Sequence, residues 1–287
     1  MIKLCEYFDQ HYYRIEDEDG TFEYYPSTTT KLNASPKPFL ATWRGDIGNR
    51  EAEIRLFEAG ERGKRIHFSI NLFLNGGTVI YNPYQRPNYT EEEIASLKAE
   101  GNLFILQQQD EMLQVIKFQD WYNVINPIIA GTELTVYDED EKEAGTIDII
   151  ADIEAGTYEV AGSKPLKLEG GRYVVDIKSS KEVYDEAYLQ LSSYRRMYNK
   201  RFKGLVGFVE AREALVIHTN AQRVKKGIAG LMTHLRTSEE LDADYEAFRH
   251  IAAIWDRNNT SRPKYLEFPT MVKLKKEIED GNGELQR

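Results

Sequence analysis

The chain holds one cysteine, Cys5, in 287 residues. A single thiol excludes an internal disulfide and any four-cysteine zinc or iron–sulfur centre, and such scarcity points to a reducing compartment. Long apolar runs are missing, and the opening MIKLCEYFDQHYYRIEDEDG has no secretory core. The expectation is therefore a soluble cytoplasmic protein with no membrane partner. Positive charge is not in excess: the formal net charge is −10, the opposite of the basic footprint of a protein that coats phosphates. No repeat or low-complexity tract is visible. GERGKR lacks the Gly-x-x-x-x-Gly-Lys-[Ser/Thr] spacing of a phosphate loop, so neither a nucleotide cofactor nor an ATP-driven motor is expected. His11, His218, His234 and His250 share no ligand spacing and read as surface or core residues.

Hydrophobic residues make up 41% of the chain, ample for a packed core in a single domain over 1–287. The average charge hides local asymmetry. EDED (16–19) and YDEDEKE (137–143) are acidic, whereas Arg195, Arg196, Lys200, Arg201 and Lys203 form one basic cluster and Arg223, Lys225 and Lys226 another. Alternating acids in YDEDEKE lack the glycine a calcium loop needs and read as a solvated turn.

Residues 11–25 pattern as a hairpin around Asp19-Gly20. Helical spacing follows over 38–58 and through GKRIHFSINLFL. Thr90 and Glu93 have capping-box spacing for a short helix, and LFILQQQDEMLQVIKFQDWYNVI predicts a longer one, so 76–130 reads as a helical insertion. TELTVYD, GTIDIIADI, RYVVDIKS, GLVGFVE and REALVIH are strand-like; 183–202 is helical, and 220–287 reads as a helical extension. Strands between helices predict an α/β fold, a central mixed sheet flanked by helices.

Within RYVVDIKSS (172–180), Asp176 and Lys178 stand two apart on a hydrophobic strand, hence on one face. Burying both costs several kcal/mol unless they are paired or bound to something. A salt bridge is one answer. Asp148, inside the apolar GTIDIIADI, suggests another: two strands each offering a carboxylate to a hard divalent cation, with Lys178 beside a bound water. On the helix that follows, Gln190 and Tyr194 lie one turn apart on one face, with Ala187, Leu191 and Tyr198 beside them for packing.

Asp148, then Asp176-Ile177-Lys178, then Gln190-x-x-x-Tyr194 resembles the PD-(D/E)XK nuclease superfamily, specifically its RecB-like branch, with Gly63-Lys64-Arg65-Ile66-His67 matching the upstream glycine and histidine. PSTTTKL and Lys37-Pro38-Phe39-Leu40-x-x-Trp43 are similar to segments of phage exonucleases and the mitochondrial genome maintenance exonuclease, so the resemblance spans 26 to about 200. It implies a restriction-endonuclease-like core. His67, Asp148, Asp176 and the Ile177 carbonyl would hold Mg2+ or Mn2+, and Lys178 would orient or activate the attacking water. Gln190 and Tyr194 would position Lys178 or the phosphate, while Ser27 and Thr29 would bind phosphate. Arg195 and Arg201 would grip the DNA backbone, with Glu133 as a further acid or, on burial statistics, an exposed strand glutamate. Lacking the four cysteines, the chain is similar to the members without an iron–sulfur cluster.

The function so implied is a metal-dependent DNA exonuclease acting on single-stranded or free-ended DNA in recombination, repair or phage replication. It would work at the nucleoid or in a phage-infected cell, with a recombinase, single-strand-binding protein or helicase as partner. An endonuclease of the same fold, and a catalytically silent nucleic-acid-binding protein, are the alternatives.

Overall fold

The computed structural model describes residues 2–7, 10–82, 90–160, 165–221, 230–260 and 263. Five strands form the central mixed sheet: β6 (Ile128–Asp138), β7 (Glu143–Ile153), β10 (Gly171–Lys178), β11 (Ala211–His218) and β12 (Met232–Arg236), in the order β12-β11-β10-β7-β6. Only the β10–β11 pair is parallel. Parallel neighbours need a crossover, and helix α6 (Asp185–Phe202) supplies it. β7 is buried along most of its length, which is why GTIDIIADI is apolar on both faces and not alternating.

Helices cover both faces of the sheet. On one, Leu191, Tyr194, Met197 and Tyr198 of α6, with Leu241 of α7 (Ser238–Asn258), pack against Val136, Ile150, Val174 and Val216. On the other, Ile66 and Ile70 of α3 (Asn49–Leu74) join Val115, Phe118 and Trp121 of α5 (Gln109–Ile125) against Ile149, Val175, Ile177 and Leu215. The predicted α/β class is the one found, and Ala187, Leu191 and Tyr198 are packing residues.

At the N-terminus, β1 (Ile2–Tyr7), β2 (Gln10–Glu16) and β3 (Phe22–Pro26) form a three-stranded antiparallel sheet, one strand more than the predicted hairpin. Two short helices follow, α1 (Thr28–Leu32) and α2 (Pro38–Ile47); Gly48, at φ 84°, separates α2 from the 26-residue α3.

Several boundaries differ from expectation. Residues 103–106 are not the start of a long helix: Leu103–Leu106 is strand β5, paired in parallel with β4 (Thr78–Tyr81), and α4 (Glu91–Ala99) lies between them under the predicted Thr90–Glu93 capping box. A short apolar run has no period that separates strand from helix. GLVGFVE forms turns with Gly204 and Gly207 at positive φ, not a strand. Two short strands, β8 (Gly156–Tyr158) and β9 (Leu166–Leu168), pair within the loop before β10. The region after 220 contains edge strand β12 as well as α7; residues 264–287, and Arg223, Lys225 and Lys226, lie outside the described residues. Among the described residues no helix is long and apolar enough to cross a membrane.

Candidate active site

The central strands β7 and β10 are neighbours, and their ladder ends at the Ile149–Val175 pair. Beyond it the Ile177 N–H donates to the Asp148 carboxylate, Oδ2 at 2.9 Å, in place of a β7 carbonyl. A strand residue sends its N–H and C=O to the same edge, so the Ile177 carbonyl faces this opening too. Asp176 and Lys178 share the α6-facing side of β10 with Val174. Helix α3, with Ile66 and Ile70 anchored in the opposite core, brings His67 Nδ1 to 3.4 Å from Asp148 Oδ2.

A continuous run of contacts follows. Lys178 Nζ donates to Asp176 Oδ1 at 3.0 Å and lies 2.8 Å from Oδ2. It also donates to Gln190 Oε1 at 3.2 Å, and Gln190 Nε2 donates to the Tyr194 hydroxyl at 2.8 Å. Gln190 needs both ends of its amide here: the oxygen meets the ammonium, the nitrogen meets the phenol. Four elements, α3, β7, β10 and α6, thus bring His67, Asp148, Asp176, Lys178, Gln190 and Tyr194 together.

Burial and mutual charge set the protonation. Burial pushes Asp176 up to about 6; Lys178 opposes this and the Asp148 charge adds to it. Burial works the same way on Asp148, but the His67 and Lys178 charges outweigh it and hold the group below the ordinary carboxylate value. Desolvation pulls His67 and Lys178 down, yet the facing carboxylates leave both above their usual values. Facing these carboxylates, the Lys178 ammonium is held against Asp176 and Gln190.

Glu133 sits in β6 across from Asp148, between the pairs Thr132–Ile149 and Leu134–Ile147. Its φ is 47°, a left-handed conformation that a non-glycine residue adopts at a cost of about 1–2 kcal/mol. Burial, then the Asp148 charge, raises its carboxyl. Glu133 is exposed as a residue, while its carboxyl is partly desolvated by the protein around it and lies within electrostatic reach of the site.

The remaining sequence candidates divide. Ser27 caps α1, its Oγ accepting from Thr30 N at 3.0 Å, and with Thr29 it lines a cleft shared with Gln190 and Tyr194. Arg195 and Arg201 are not brought to the site. Arg195 is held by Arg212 O, Ser238 and Asp242, and Arg201 lies over the Tyr137 ring at 3.9 Å. Arg196 stacks on Tyr245 and Lys200 pairs with Asp138 and Asp140, so most of that basic cluster is engaged within the protein.

A group with no motif signal also belongs here. His218, Thr219 and Asn220, at the end of β11, hold the three successive carbonyls that begin at Lys178. Thr219 N donates to Lys178 O at 3.0 Å, Asn220 Nδ2 to Ser179 O at 3.1 Å, and His218 Nε2 to Ser180 O at 2.8 Å. A carbonyl only accepts, which assigns the proton to Nε2, and burial lowers the His218 pKa. Parallel register, pairing Lys178 with His218, creates this clamp, and only the tertiary fold reveals it. His218→Leu is expected to lower hydrogen-exchange protection at residues 179–182 by about tenfold, the worth of one buried hydrogen bond, with His218→Gln restoring part of it.

Gly145 is required by close approach. A Cβ there would stand 2.3 Å from Tyr194 Cε1. Gly145→Ala is expected to displace the Tyr194 ring and destabilise the protein by about 1–3 kcal/mol in chemical denaturation, with loss of the Gln190–Tyr194 hydrogen bond.

The donor set can be weighed for a metal. Among the described residues no three His, Cys, Asp or Glu side chains stand ready as a coordinating group. The chemistry nonetheless fits a hard divalent cation: two desolvated carboxylates, an imidazole and a strand-edge carbonyl, with Asp176 buried and both its oxygens facing the Lys178 ammonium. Comparison of the sequence with family models and with curated proteins returned no match.

Proposed function

We propose that the protein is a divalent-metal-dependent deoxyribonuclease of the PD-(D/E)XK superfamily, RecB-like branch, acting as an exonuclease on single-stranded or open-ended DNA. The observation that carries this reading is the contact run from His67 through Asp148, Asp176 and Lys178 to Gln190 and Tyr194. Six motif residues, weak signals singly, meet at the open end of two central strands, which supports the reading their order suggests.

His67, Asp148, Asp176 and the Ile177 carbonyl would hold Mg2+ or Mn2+, which when bound supplies Lewis acidity toward a phosphoryl oxygen and a more acidic water. Imidazole in the donor set favours manganese somewhat. Lys178 places a positive charge where negative charge develops on the phosphoryl group. Gln190 fixes the direction of the ammonium, and Tyr194 fixes Gln190. Asp148 also orients the strand end through Ile177 N–H. With these roles the protein would work in the cytoplasm during recombination, repair or phage replication, on strands made accessible by a helicase or recombinase.

End-labelled linear, end-blocked and circular oligonucleotides, incubated with Mg2+, Mn2+ or chelator, test the reading. The expected result is metal-dependent shortening of linear strands and survival of circles. Cleaved circles would make the protein an endonuclease. Binding without cleavage in either metal would make it catalytically silent.

A further inference from the structure

Beside the candidate site lies a cleft of about 390 Å3, within the size range of pockets that hold small molecules. Strand β2 and helix α1 with its capping residues form one wall of it; β7 and α6 form the other. Tyr13, Thr29, Asn33, Thr146, Gln190 and Tyr194 are among its lining residues, so it opens one side chain away from Lys178. Its lining is polar and short of charge. Among the described residues no lysine or arginine lines it, and apart from the imidazole of His11 its ionisable groups are the two phenols. Burial raises the pKa of both, so they stay protonated. Lys178 reaches Gln190 but is itself paired with Asp176.

A phosphate in this cleft would meet no lysine or arginine and would lie near the Asp148 and Asp176 carboxylates. What the lining offers instead is hydroxyl, amide and imidazole groups, the rings of Tyr13 and Tyr194 being themselves packed in the core. The Tyr194 hydroxyl accepts from Gln190 and keeps its own proton to donate, and Tyr13 is fixed by Thr146 at 2.8 Å. Ser27 is tied into the α1 cap, with Thr29 Oγ1 2.8 Å from its own Oγ. Uncharged donors and acceptors of this kind are the partners of a base's hydrogen-bonding edge and of a sugar's hydroxyls.

We infer that this cleft is a nucleoside subsite: it takes the base and sugar of one nucleotide next to the scissile phosphate, not a phosphate group. Ser27 and Thr29 then face an uncharged part of the substrate. The inference rests on the nuclease reading of the adjoining site, and it means that a terminal phosphate is not what this cleft recognises.

The test uses the full chain, Mn2+ and single-stranded oligonucleotides carrying one abasic position at successive distances from the cleaved bond, each with a 5′-hydroxyl or a 5′-phosphate end. One abasic position is expected to raise KM by about tenfold, with the two kinds of end equivalent. Thr29→Trp, at an exposed position of α1, fills the cleft and is expected to erase the difference between abasic and intact substrates; Asn33→Trp repeats the test from the other end of the helix. A flat abasic series, or a KM that rises on removal of the terminal phosphate, overturns the subsite while leaving the nuclease standing. Absence of any cleavage overturns both.

Discussion

Lys178→Met is expected to lower the rate of phosphodiester cleavage by about a hundred- to a thousandfold, the range seen when one preorganised charge-stabilising group is lost. KM for single-stranded DNA should change little, because the ammonium acts where charge develops and not where the strand is gripped. Three features make the effect large. Lys178 has only a quarter of its side chain exposed, it is directed by Gln190, and its positive charge is enforced by two carboxylates. Single-turnover kinetics alongside a binding measurement decides the matter: a variant that cuts like the wild type sinks the catalytic assignment. Gln190→Leu, which frees the ammonium without removing it, should fall between the two.

Lys31→Met is expected to cost about 3–5 kcal/mol of stability, the usual consequence of leaving a buried charge without its partner. Lys31 is 1% exposed, 3.6 Å from Glu143 and 3.5 Å from Asp256, and donates to Glu141 O at 2.9 Å. Glu143, equally buried, also accepts from Thr28 and Ser193, so one carboxylate ties α1, β7 and α6 together. The pH dependence has a definite sign. Burial raises the Glu143 pKa, with Lys31 opposing; a carboxyl raised in the folded state stabilises it below the unfolded pKa and loses that contribution as pH rises through the folded value. Removing Lys31 raises Glu143 further, so the deficit of the variant should be larger at pH 8 than at pH 5. Denaturant titrations at the two pH values measure it, and an equal deficit at both would remove Glu143 from the account. Because Lys31 belongs to α1, the variant should also loosen Ser27 and Thr29 in the nucleoside cleft.

The sequence by itself determined the elements with strong local physics. Thr90 and Glu93 formed their capping box, and the isoleucine-rich β7 became a central strand. Asp176 and Lys178 share a face because a strand alternates, and Gln190 and Tyr194 share one because a helix turns every 3.6 residues. Charge patterning did not settle the basic cluster at 195–201: its cations had internal partners on α7, β6 and the acidic turn, which no local period encodes. The parallel register that sets His218, Thr219 and Asn220 against Lys178, Ser179 and Ser180 was equally hidden, since it depends on pairing across a helical crossover. So too was the left-handed Glu133 opposite Asp148. Spacing along the chain decides which side chains one element presents together; which groups face them from elsewhere is decided only when distant elements pack, and there the lining of the cleft and the partners of Lys178 were determined.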